Sequence, residues 1–304
     1  MSIPNPLASG FRAVLRDPKL LLIEVAWRWL FGLTAAALLL FGWHHAAGTV
    51  QLSRADHNAL ASHDAFRMAQ AALNILTAIG RQPAKLAAVV LLAVSLLWIF
   101  LGALGRTLTM RRLVNLFGLF TEGPGGVAIR QISLRAMLVL HFWRILLAWP
   151  ALAAMVAGVL YASRVANRGP QPDYFMYYAV AIPMMAGAAI FWLIVNWYLS
   201  AAAAWVGRQG AGAVMATRMT IGFASARKGD MGGLNAMFIL IRFGALLVAF
   251  VLCVLPAGLV SSAGYTFWVT SISLLYFVFA DLVCLARLAS YLMIEEETPA
   301  EAEA

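Results

Sequence analysis

The chain has 304 residues, of which 63% are hydrophobic and 12% charged, and its net charge is +9. A soluble domain carries about a quarter charged residues, so this composition excludes one. The basic residues flank apolar runs and no nucleic-acid module is present, so the positive balance points to membrane topology and anionic lipid, not nucleic acid.

Residues 1–19 carry Arg12, Arg16 and Lys19 with Phe11, Val14 and Leu15 between them, the pattern of an amphipathic helix at a membrane surface. Glu24 and Arg28 interrupt what would be the apolar region of a signal peptide, so an uncleaved first span over about 22–43 is expected. Glu24 and Arg28 are four apart, a favourable helical pair. Arg28 is placed near the boundary, where it can snorkel, with Trp27 and Trp29 in the interfacial belt.

The next connector holds a polar stripe (His63, Arg67, Gln70, Asn74, Thr77, Arg81) and an apolar one (Phe66, Ala69, Leu73, Leu76). One amphipathic helix over about 58–80 is predicted, with Arg67, Asn74 and Arg81 exposed. His57 and His63 beside Asp56 and Asp64 form a candidate metal set, since imidazole and carboxylate are competent zinc ligands. No HExxH spacing accompanies them, and the neighbouring His44-His45 at the span end suits a wet interface equally well.

A second span is expected over 86–105, followed by Arg106, Arg111, Arg112, Arg130 and Arg135 against the single acid Glu122. The third, 145–163, starts near His141 and Arg144 and contains Pro150, a tolerated bend. From Tyr174 to Gly207 no residue is charged; Pro183 is expected to divide this run and leave a span over 184–206, with Tyr174, Tyr177 and Tyr178 interfacial and Asn196 near its middle. A fifth span over 243–260, a turn at Ser261–Gly264 and a sixth over 267–287 complete the set. Cys253 and Cys284 fall inside spans without a CxxC spacing and read as small packing residues. Residues 295–304, with five glutamates, read as an acidic disordered tail.

The fold expected is therefore all-α: a polytopic bundle of six transmembrane helices forming one membrane domain over 1–294. With the N-terminus inside, inner segments carry 16 Lys and Arg and outer connectors 6, so the positive-inside rule places both termini in the cytoplasm. Gly105-Arg106 followed by Leu134–Leu140 is echoed by Gly207-Arg208 followed by Leu234–Leu240. A repeat of helical hairpins would superpose Gly105 on Gly207 and Met137 on Met237. The span layout, with the opening Gly10-Phe11-Arg12-Ala13-Val14-Leu15-Arg16-Asp17-Pro18, resembles bacterial six-span membrane families without an assigned activity. These include the membrane domain attached to some glycerophosphodiester phosphodiesterases. The resemblance implies the membrane architecture and the bacterial inner membrane. It implies no activity, because those enzymes' catalytic domain has no counterpart in these residues.

Asp281 is the sharpest functional candidate. It lies six residues before Arg287 in an otherwise uncharged span, about 9 Å deeper at ~1.5 Å per residue. A lone carboxylate at that depth must be paired or protonated. Arg28, Arg144 and Arg242 begin outward spans at similar depth. The expected inner-leaflet polar pocket thus comprises Asp281, Arg28, Arg144, Arg242, Glu24 and Asn196, suited to an anionic headgroup or solute; a structural ion pair is the competing reading. No GxSxG, HExxH or paired carboxylates occur in the spans, so no catalytic residue or cofactor is expected. The sequence reads as a non-enzymatic integral membrane protein, a scaffold or a handler of lipid or small solutes. Its partners would be the bilayer, anionic headgroups, and other proteins or copies of itself. A secondary transporter is the alternative, and an intramembrane or metal-dependent enzyme stands behind it.

Overall fold

The structure, a computed structural model, describes residues 5–47, 53–62, 64–78, 81–118, 132–169, 171–256 and 261–294. Among these residues there are ten helices and no strand: α1 (Pro6–Arg16), α2 (Pro18–Ala47), α3 (Arg54–Ala61), α4 (Ala65–Ala78), α5 (Arg81–Leu116), α6 (Leu134–Ala166), α7 (Tyr174–Gln209), α8 (Ala213–Ala226), α9 (Lys228–Val254) and α10 (Ser262–Ile294). Six of them, α2, α5, α6, α7, α9 and α10, are long and apolar enough to cross a membrane. The protein is an all-α membrane helix bundle with six candidate spans.

The helices outrun the expected spans. α7 has 36 residues, roughly 54 Å at 1.5 Å per residue against ~30 Å of hydrocarbon. Apolar composition marks the part that meets lipid, whereas the helical hydrogen bonds continue past it. Pro183 does not divide α7, and Pro150 lies inside an unbroken α6. Ser261 is not part of a free turn either. Its carbonyl accepts from Tyr265 N–H at 2.8 Å and its hydroxyl from Gly264 N–H at 3.3 Å, so it opens α10.

The chain sorts into two compact units, the first Met1–Trp29, Ala103–Leu140 and Tyr198–Ala304, the second Leu30–Gly102 and His141–Trp197. In the first, α1 lies on α10. A side chain at Gly10 would overlap the Ala286 carbonyl and Ser290 Oγ, so only glycine permits this approach. Phe11 packs on Phe238 with ring centroids 5.8 Å apart. Between α1 and α2, the Asp17 carboxylate takes both Nε and Nη2 of Arg112 from α5, the latter at 2.9 Å. Gly210, at φ 62°, turns the chain from α7 into α8, a helix that buries Ala213, Ala216, Thr220 and Ala224. Its Phe223 meets Trp205 edge-on.

In the second unit, α4 sets Phe66 and Ala69 against Ala162 and Ala166 of α6 and Tyr177 and Ala181 of α7. Tyr177 donates its hydroxyl to the Ala65 carbonyl at 3.3 Å, and Gln70 Nε2 donates to Asn167 Oδ1 at 2.8 Å. Tyr177 is therefore a core residue and not an interfacial one. The connector helix expected over 58–80 is two helices, α3 and α4. The break has a local cause: Asp64 Oδ1 accepts from the N–H groups of Phe66 (2.9 Å) and Arg67 (3.2 Å), starting a new helix there. Arg67 and Asn74 are exposed; the side chain of Arg81, and residues 63, 79 and 80, lie outside the described residues.

Gly105 and Gly207 are both close-approach points: a side chain would overlap the Trp27 ring at the first and Met110 at the second. Met137 and Met237 are not alike, the first fully buried and the second half-exposed.

Candidate functional site

In the first unit, α2, α5 and α10 bring together a group of charged side chains. Glu24 of α2 is fully buried. Its Oε1 accepts from Arg28 Nε at 2.8 Å and Nη2 at 2.6 Å, one helical turn on, and from Arg106 Nη2 of α5 at 3.2 Å. Its Oε2 accepts from Trp27 Nε1 at 3.0 Å and Thr109 Oγ1 at 2.9 Å. Donors thus reach both oxygens of this carboxylate.

Arg28 is the hinge of the network. Its Nη1 lies 2.9 Å from Asp281 Oδ1 of α10, and its Nη2 donates to Cys284 Sγ at 3.1 Å, one turn beyond. The guanidinium carbons of Arg28 and Arg106 lie 5.3 and 5.9 Å from the Trp27 ring centroid, within cation–π range. Trp27 is 8% exposed, so it is an internal strut of the network and not part of an interfacial belt. The close pass of α5 at Gly105 is what lets Arg106 and Thr109 reach Glu24.

Of the six residues expected in the polar pocket, the structure brings Glu24, Arg28 and Asp281 into direct contact. Arg242, on α9, belongs to the same unit and is exposed. Arg144, buried on α6, and Asn196, half-buried on α7, belong to the second unit. Sequence reasoning missed Arg106, Thr109, Trp27 and Cys284 as members. Arg106 reads as a connector residue because apolarity stops at Gly105; the usable signal was that Gly105, Arg106 and Thr109 share one helical face.

At the edge of this unit, Arg112 holds the Asp17 carboxyl below the usual carboxylate range, through its hydrogen bonds first and its charge second. In the other unit the metal candidates are otherwise employed. Asp56 accepts from Ser53 Oγ at 2.6 Å and from Asn74 Nδ2 at 3.2 Å, which lowers its pKa, while Asp64 caps α4. His57 is exposed and His63 lies outside the described residues. Among the described residues, no three His, Cys, Asp or Glu side chains are placed to hold a metal ion.

No protein-family model, curated protein or solved structure matches this chain.

Proposed function

We propose that this is a non-enzymatic integral membrane protein of the bacterial cytoplasmic membrane, its termini cytoplasmic, that handles anionic lipid or a small anionic solute at the Glu24–Arg28–Arg106–Asp281 cluster. One observation carries the reading. Arg106 is only 5% exposed, yet its Nη1 has no hydrogen-bond partner among the described residues. A buried guanidinium edge without an acceptor is costly, and an anionic oxygen is the acceptor that suits it best. The Arg28 side chain, 27% exposed, gives the cluster an accessible flank. The excess of Lys and Arg in the inner segments, 16 against 6, supports the cytoplasmic side. The resemblance of the span pattern to the bacterial six-span families supports the same membrane. A secondary transporter has less behind it, because α6 and α7 run unbroken through Pro150 and Pro183.

The test is thermal unfolding of the purified protein in neutral detergent during titration with phosphatidylglycerol, phosphatidylcholine or inorganic phosphate. Phosphatidylglycerol or phosphate should raise the midpoint while phosphatidylcholine does not, and Arg106→Lys, which keeps the charge beside Glu24, should weaken the rise. Equal responses to the two lipids with none to phosphate, or an unchanged response in Arg106→Lys, would overturn the reading.

A further inference from the structure

α10 ends at Ile294, and Glu295, Glu296 and Glu297 follow at once in the sequence. The last turns of α10 are tied on two sides. Ser290 Oγ donates to the Pro6 carbonyl at 2.9 Å, and the Tyr291 hydroxyl meets Asn235 Oδ1. Pro6 and Leu234, the neighbour of Asn235, both line one groove of about 370 Å³ between the starts of α1 and α9. Leu7 and Met237 add apolar surface, and Arg227 and Asp230 supply the charges. Arg227 lies with its guanidinium carbon 5.9 Å from the Phe223 ring centroid. Its side chain makes no capping hydrogen bond to the first turn of α9, and a helix start carries positive potential.

We infer that this groove is the docking site of the chain's own Glu295–Glu297 segment, with Arg227 as its anchor. Reach allows it. Glu296 is six residues past Ser290, whose hydroxyl bonds Pro6 of the groove lining, and a chain covers at most about 3.6 Å per residue, so the Glu296 backbone lies within roughly 22 Å of that residue. Charge favours it. The exposed ionisable residues of this unit include Arg12, Arg16, Lys19, Arg111, Arg135, Arg218 and Arg242, while Asp230 is the one exposed acid among its described residues. Five glutamates in ten residues are the complementary partner nearest at hand. Asp230 repels the segment from one wall and so directs it to Arg227. A docked acidic segment occupies cations that anionic headgroups would otherwise take, which makes it a competitor for the membrane surface. The Glu24–Arg106 cluster plays no part, so either proposal can fail without the other.

The experiment uses the full chain carrying Glu296→Cys and Met237→Cys, in phosphatidylcholine nanodiscs, with the linked peptide identified by mass spectrometry after mild oxidation. The cross-link should form in about 0.01 M salt and fall several-fold in about 1 M, as the Debye length shrinks from about 30 Å to about 3 Å. It should fall likewise on adding Arg227→Gln or, with the groove left intact, Glu295→Gln and Glu297→Gln. Absence of the link, or a yield indifferent to salt and to both sets of substitutions, would overturn the proposal. In phosphatidylglycerol nanodiscs at the same low salt the link should weaken but persist, since headgroups compete for the same cations; its complete loss there would assign the groove to lipid headgroups and overturn the segment as occupant.

Discussion

The two units of this chain solve the same problem in different ways. Each is made from segments poor in charge, and each must hold helices together where apolar burial alone gives little preference, since lipid is as apolar as leucine. In the second unit, shape and neutral hydrogen bonds are prominent: Phe66 and Tyr177 among small alanines, Gln70 on Asn167, Trp149 Nε1 on Ser95 Oγ at 3.2 Å. Its Arg67–Asp64 pair is loose, at 3.9 Å, and Arg67 is exposed. The first unit places Glu24, Arg28, Arg106 and Asp281 at a single joint among α2, α5 and α10. Aromatic and alanine packing tolerates small errors. A buried ion network does not, because every member depends on a partner from another helix.

The largest effect should therefore come from breaking that network on one side only. Glu24→Gln leaves Arg106 and Arg28 short of their common counter-charge and should cost about 3–5 kcal/mol in unfolding experiments. Asp281→Asn should cost less, because Arg28 keeps Glu24. Glu24→Met combined with Arg106→Met should recover most of the loss, since apolar replacement of a whole buried pair is often neutral or better. A Glu24→Gln protein as stable as wild type would erase the contrast between the units.

Phe66→Ala is the matching lesion in the second unit and should cost about 3–5 kcal/mol through the cavity it leaves. The signature that separates it from Glu24→Gln is indifference to the partner charge: no second substitution among the arginines should restore it. Gly10→Ala is smaller, about 1–3 kcal/mol, since the new methyl must push α1 off the Ala286 carbonyl. Faster tryptic cleavage after Arg12 and Arg16 would report the loosened α1; unchanged cleavage would show that α10 yields instead.

The smallest effect concerns Asp17. Arg112 lowers its folded pKa, so the stabilisation is complete above the unfolded value, about 3.9, and is lost as pH falls through the lower folded one. Asp17→Asn should flatten that acid limb and leave stability between pH 6 and 8, on the order of physiological pH, with a pH-independent loss. An acid limb identical to wild type would mean that other carboxylates carry it.

Part of the site was legible in the sequence. Asp281 stood out as an isolated carboxylate in a span, and Glu24 and Arg28 announced themselves by their four-residue spacing. Arg106 and Trp27 did not. Apolarity stops at Gly105, so composition assigns Arg106 to water, and a tryptophan near a span end looks the same whether it faces lipid headgroups or a neighbouring helix. The connector stripe was also read correctly in period but not in continuity, because a capping aspartate can restart a helix without disturbing the 3.6-residue pattern.

By itself the sequence determined the all-α class, the number of long apolar helices and their approximate positions. Those follow from transfer free energy and backbone hydrogen bonding, which are local sums over about twenty residues. Only the tertiary structure decided which charges meet. That Arg106 pairs with Glu24 depends on Gly105 letting α5 pass close to Trp27, and that Arg28 pairs with Asp281 depends on the rotation of α10. Such contacts join residues 82 and 253 positions apart, and no local pattern encodes the choice among several arginines of similar depth.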